Sequence, residues 1–164
     1  MRAIDSAQRY SIAVQLDTDL REDVVEIAYF LPSDVAEVSP FVDQVMHLIN
    51  GFRVQDGSEV EIEVALREAL LNAIIHGNRE DPSKHVSLRM RCGADGEVSM
   101  AIRDEGAGFD SSSVPDPTAP EHRMSTHGRG IYLMRALMDE VSFEEGGTVV
   151  HMRKSPSSLT YRPQ

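Results

Sequence analysis

The chain has 164 residues, 41% of them hydrophobic, which is enough for one domain with its own core. Its formal net charge of −11 argues against nucleic acid or an anionic membrane as partner, because phosphate-rich surfaces are held by clustered Lys and Arg. There is no apolar run of about 18 residues to span a bilayer. The N-terminal stretch lacks the charged-then-apolar pattern of a secretion signal, and the single cysteine, Cys92, cannot close an internal disulfide. A cytoplasmic location is expected.

Residues 1–22 are polar and weakly periodic, and read as an N-terminal arm with a short strand at Ser11–Leu16. Val24–Leu31 (VVEIAYFL) is strand-like. Pro32 ends it, and Ser33 or Asp34 caps the next helix. Val35, Val38, Val42, Val45, Met46 and Ile49 recur at helical spacing, so Asp34–Asn50 is predicted as an amphipathic helix. After a loop at Gly51–Gly57, Glu59–Asn78 reads as one long buried helix. Ser58 and Glu61 form a capping box at its start, and Gly77 is its stop. Its apolar run from Val64 to Ile75 is broken by Arg67, Glu68 and Asn72. Glu68 and Asn72, four apart, share one face. A carboxylate and an amide placed among apolar neighbours need partners there, whether solvent, backbone or a ligand.

His85–Cys92 alternates apolar and polar, and so do Val98, Met100 and Ile102 beyond a Gly93–Gly96 turn. Together they predict an antiparallel hairpin. Cys92 falls on the apolar side and reads as a small core residue. Residues 104–127 have no period. Gly128–Met138 resumes helical spacing, and Val141–Glu145 with Thr148–Arg153 predicts a second hairpin around Gly146 and Gly147. The tail 155–164 is expected to be flexible. The order suggests an α+β fold, a two-layer sandwich of a mixed or antiparallel sheet with helices on one face.

Two further stretches bear on chemistry. Asp104-Glu-Gly-Ala-Gly-Phe-Asp110 leaves a strand. Gly106 and Gly108 let the backbone turn and approach a ligand, and Asp104 can accept a hydrogen bond from an exocyclic amine, although such a run also serves as an ordinary turn. No parallel βαβ crossover surrounds it, so it is not a dinucleotide fingerprint. Gly128-Arg129-Gly130 opens a helix, where free amides favour an anion. Between them, 111–127 is long enough to be a lid. Arg123 and Arg129 are candidates for phosphate contact, or solvated surface charges. His122 and His127 lack the third partner that a zinc site needs.

In this order ExxxN on a helix, DxGxGF after a strand, a long loop and GxG opening a helix resemble the GHKL (histidine kinase-like) ATPase superfamily over Val24–Arg153. EALLNAIIHGN, DEGAGFD, GRGIYLMRALMDEV and GGTVVHM look like the anti-sigma factor serine/threonine kinase family (SpoIIAB/RsbW-like). The resemblance implies a kinase domain at 23–154 that uses ATP and Mg²⁺. Glu68 would be the general base and Asn72 the Mg²⁺ ligand. Asp104 would bind the adenine amino group in a pocket shaped by Gly106 and Gly108. Thr148 would hold adenine through water. Gly128 and Gly130 would sit at the phosphates, with Arg123 or Arg129 reaching phosphate oxygens. His76 and Asn78 would line the site.

The resemblance further implies phosphorylation of a serine or threonine on a STAS-domain anti-anti-sigma protein, sequestration of a sigma factor, and a homodimer through Val24–Asn50. The acidic balance of the chain is compatible with a basic sigma segment. Retention of Glu68 favours transfer over a switch that binds ATP without transferring phosphate. A histidine kinase half would need an upstream pair of helices with a phosphoacceptor, and only His47 precedes the ExxxN motif. The first 22 residues and the prolines at 115, 117 and 120 depart from the family pattern.

Overall fold

Alternation of apolar and polar residues builds the sheet, because successive side chains in a strand point to opposite faces. The computed structural model describes residues 11–17, 24–50, 58–93, 95–108 and 129–156. Among the described residues six strands form one sheet: β1 (Ser11–Asp17), β2 (Val24–Pro32), β3 (His85–Gly93), β4 (Val98–Arg103), β5 (Glu140–Glu144) and β6 (Val149–Lys154). Their order is β1-β2-β3-β4-β6-β5, and every pairing is antiparallel. The expected α+β sandwich forms, and its sheet is antiparallel rather than mixed.

Register decides which face is buried. Tyr29 pairs with Leu88, Leu88 with Ile102 and Ile102 with Val150. One step along, Ile27, Met90, Met100 and Met152 form a second row. All eight are buried, while Ala28, Ser87, Arg89, Arg91 and Arg103 point to the other face and remain partly or fully exposed. A one-residue slip would invert this arrangement, so the hydrophobic pattern enforces the register.

The helices cover the buried face. A 3₁₀ turn at Val35–Glu37, with the Asp34 carboxylate accepting from the Ala36 amide at 2.9 Å, leads into α1 (Val38–Ile49). α1 buries Val38, Phe41, Val42, Val45, Met46 and Ile49. Phe41 meets Tyr29 edge to face at 5.3 Å between ring centroids. α2 (Glu59–Asn72) buries Ile62, Ala65, Leu66, Ala69 and Leu70, and α3 (Arg129–Leu137) packs beside it through Gly130 and Met134. Among the described residues no helix is long and apolar enough to cross a membrane.

The capping box expected at Ser58 and Glu61 does not form, since Ser58 makes no side-chain cap bond. Glu61 pairs instead with Lys154, whose Nζ also donates to the Leu137 carbonyl at 2.7 Å. A full positive charge delivered by β6 is a better partner for the carboxylate than a backbone amide. The same ammonium sits at the C-terminal end of α3, where the helix dipole favours a cation.

α2 also ends earlier than the sequence suggests. At Asn72 it widens into a π turn, Ala73–Gly77, in which the Asn78 amide reaches back to the Ala73 carbonyl at 2.8 Å. Arg79 and Glu80 then take left-handed conformations (φ 57° and 56°), and the chain turns toward β3.

Candidate functional site

Glu68 and Asn72 stand one turn apart on α2, both half-buried. Gly130, the second residue of α3, rests directly on them. A Cβ at Gly130 would come within 2.8 Å of Glu68 Oε2 and 3.0 Å of Asn72 Nδ2. A side chain there would make the tips of Glu68 and Asn72 give way, so the first turn of α3 begins against the two polar side chains. The amides of such a turn lack intrahelical acceptors and favour an anion. Arg129, beside it, is exposed.

Beyond the π turn lies a second group. Asp104 follows β4, and its amide donates to the Thr148 carbonyl at 3.0 Å. Its carboxylate accepts from the Gly106 amide at 2.8 Å. A Cβ on Gly77 would fall inside that carboxyl, 2.5 Å from Oδ2, and one on Gly106 would overlap the Gly77 carbonyl. Burial raises the pKa of Asp104 above its ordinary value, against the opposing pull of the Gly106 amide and Lys84. Gly108 has φ 76°, a conformation that costs glycine least, and a Cβ there would overlap the Gly146 carbonyl and approach Thr148 Cγ2 to 3.3 Å. The Thr148 hydroxyl donates to the Glu145 carbonyl at 3.1 Å, so its lone pairs remain for a further donor.

Eight of the ten residues expected to serve as base, metal ligand, adenine contact or phosphate contact are therefore described: Glu68, Asn72, Asp104, Gly106, Gly108, Arg129, Gly130 and Thr148. Glu68, Asn72 and Gly130 form one group. Asp104, Gly106, Gly108 and Thr148 form the other, and the α2–π-turn segment joins the two. Arg123, Gly128 and the expected lid at 111–127 lie outside the described residues. His76 is exposed, and Asn78 is buried, 1% exposed.

The family model for the histidine kinase-like ATPase domain matches residues 31–154. The chain is 35% identical over 127 residues to the anti-sigma F factor of Geobacillus kaustophilus (strain HTA426), an alignment covering 73% of this chain and 75% of that one. It is 39% identical over 102 residues to the anti-sigma F factor of Geobacillus stearothermophilus, covering 58% and 68%. It is 35% identical over 101 residues to the serine-protein kinase RsbW of Bacillus subtilis (strain 168), covering 57% and 62%. The chain belongs to the histidine kinase-like ATPase family, in its anti-sigma factor kinase branch.

The ATPase family model spans both residue groups and the segment between them, from the end of β2 to the end of β6. An ATPase domain implies that this chain binds ATP. Two features of its site escaped sequence reasoning. Gly77 reads as a helix stop, yet its missing side chain is what admits Asp104. Glu105 looks like a spacer in DEGAG, yet its carboxylate accepts from the His85 amide at 2.8 Å and its own amide donates to Asn78 Oδ1 at 2.8 Å. Local sequence carries no signal for either contact, because both join segments 20 or more residues apart.

Proposed function

We propose that the chain is an ATP-dependent serine/threonine protein kinase acting as an anti-sigma regulatory factor, and that it phosphorylates a STAS-type anti-anti-sigma antagonist in a partner-switching system. The observation that carries this reading is the convergence of a carboxylate and an amide, Glu68 and Asn72, beneath Gly130 at the start of α3. A phosphate accepted by that helix turn lies beside a group able to take a proton and beside a neutral oxygen donor. Phosphoryl transfer needs that combination, since its catalysis rests on positioning and on electrostatic stabilisation.

Glu68 takes the proton of the attacking hydroxyl. Asp104 accepts from the adenine amino group, with Gly106, Gly108 and Thr148 around it. Gly128, Gly130, Arg123 and Arg129 serve the phosphates. Among the described residues no group of three His, Cys, Asp or Glu side chains could hold a metal alone. The donor set fits Mg²⁺ only through Asn72 together with ATP phosphates and water, which is ordinary for this hard cation. When bound, it would neutralise charge on the phosphates. The sigma factor and the STAS-domain antagonist are the partners proposed, with a homodimer through Val24–Asn50.

Calorimetric titration with ATP, with and without Mg²⁺, tests the site. Binding is expected to tighten with Mg²⁺, and Asn72→Ala is expected to remove that increment. ATP affinity that is the same for both proteins in Mg²⁺ would take Asn72 out of the metal site. No ATP binding by the native chain would overturn the nucleotide reading altogether.

The raised pKa of Asp104 adds a pH signature. Its adenine bond needs the carboxylate, so ATP affinity falls as pH drops through a window that opens above the usual aspartate value. Asp104→Asn lacks this component, which separates it from titration of ATP itself. Stability responds in the opposite sense. The folded chain holds this proton more tightly than the unfolded chain, so the group's contribution rises as pH falls from the folded to the unfolded pKa, and then levels off. Parallel titrations and melts of the two proteins between neutral and acid pH check both signs.

A further inference from the structure

Asn78 is a fully buried amide with both ends used. Its Nδ2 donates to the His85 carbonyl at 3.0 Å, and its Oδ1 accepts from the Glu105 amide at 2.8 Å. A carbonyl can only accept and a backbone amide can only donate, so the orientation of the side-chain amide is settled by its partners. Glu105 closes the circuit by accepting from the His85 amide at 2.8 Å. Asn78 thus joins three segments: the end of the π turn, the first residue of β3, and the residue that follows Asp104.

Its neighbour Gly77 touches the Asp104 carboxyl. The dipeptide Gly77-Asn78 therefore grips Asp104-Glu105 at two points, one through a missing side chain and one through an amide pair. With 1% of its surface exposed and a protein partner at each end, the Asn78 side chain is enclosed rather than turned toward a ligand. The Gly106 amide that orients the Asp104 carboxylate lies one residue beyond the Glu105 amide that Asn78 holds.

We propose that Asn78 is a positioning residue for base recognition, setting the Asp104 loop against the end of α2 without touching the nucleotide. The inference rests on the adenine reading of Asp104 above. It separates two duties along one helix: Glu68 and Asn72 face the phosphate end, and the Asn78 bracket holds the base end. A change at Asn78 loosens base selection and leaves phosphate binding in place.

Asn78→Asp retains the acceptor for the Glu105 amide but sets a second acceptor against the His85 carbonyl. Asn78→Ser, smaller and still able to donate, is the second variant. Each is titrated with ATP, GTP and magnesium tripolyphosphate beside the native chain and Asp104→Asn, with melting followed for all. The expected result is a loss of ATP affinity of about tenfold, the factor set by one misplaced hydrogen bond. The preference for ATP over GTP should fall by a similar factor, with tripolyphosphate binding within about twofold of native. A structural defect alone would weaken ATP and tripolyphosphate together, and that outcome overturns the proposal. A native ATP-to-GTP ratio in the Asn78 variants, with the ratio lost in Asp104→Asn, overturns it while sparing the adenine reading. No base preference in the native chain overturns both. Hydrogen exchange on the native protein needs no variant: the Glu105 amide should exchange as slowly as the amides of β4 before nucleotide is added, and rapid exchange there removes the bracket.

Discussion

Glu68→Gln lowers phosphoryl transfer by about 10²- to 10⁴-fold, the range that a positioned general base contributes, while ATP affinity stays near native. Glutamine matches glutamate in shape. It still packs under Gly130, where Oε2 lies 2.8 Å from the place a Cβ would occupy, so the start of α3 is undisturbed. The variant loses only the ability to accept a proton. The measurement is labelled phosphate passed from ATP to a STAS-domain protein, with calorimetry on the same preparations. Transfer at the native rate would remove Glu68 from the general-base role. Loss of ATP binding and transfer together would make its role structural. An inactive native chain that binds ATP would favour the switch without transfer.

Asp104→Asn weakens ATP binding by about 10- to 150-fold, the equivalent of the 1.5–3 kcal/mol typical of a hydrogen bond to a charged group. Gly77→Ala reaches a loss of similar size by another route. Its methyl group would overlap the Asp104 carboxyl, so the carboxyl or the π turn must shift. The two effects share one cause and should not add. In an Asp104→Ala background, where the carboxyl is gone, Gly77→Ala is expected to cost little further affinity. Additive losses would mean that Gly77 acts on the nucleotide independently of Asp104. Calorimetry on the two single variants and the double variant decides.

These expectations rest on different levels of information. The β3–β4 and β5–β6 hairpins are local, and alternation with glycine turns announces them. The pairing of β2 with β3 spans two helices and more than fifty residues of chain, and only the shared burial of rows such as Tyr29–Leu88–Ile102–Val150 selects it. The α1 stripe is legible because 3.6-residue periodicity is a property of the segment itself. The capping box is not, because a competing charge on Lys154 arrives from the far end of the chain.

Within the candidate site the same division holds. The spacing of Glu68 and Asn72 places them on one face of any helix that contains them, so their partnership is written in the sequence. The presence of Gly130 above them, the entry of the Asp104 carboxyl into the space left by Gly77, and the two bonds of Asn78 depend on how α2, α3 and the β4 exit meet. Composition and periodicity determined the elements, the apolar faces and the residue types available for chemistry. Tertiary structure alone decided where the helix yields to a π turn and which glycines are spaces for someone else's side chain, because steric exclusion and hydrogen-bond pairing between distant segments exist only once the segments are packed.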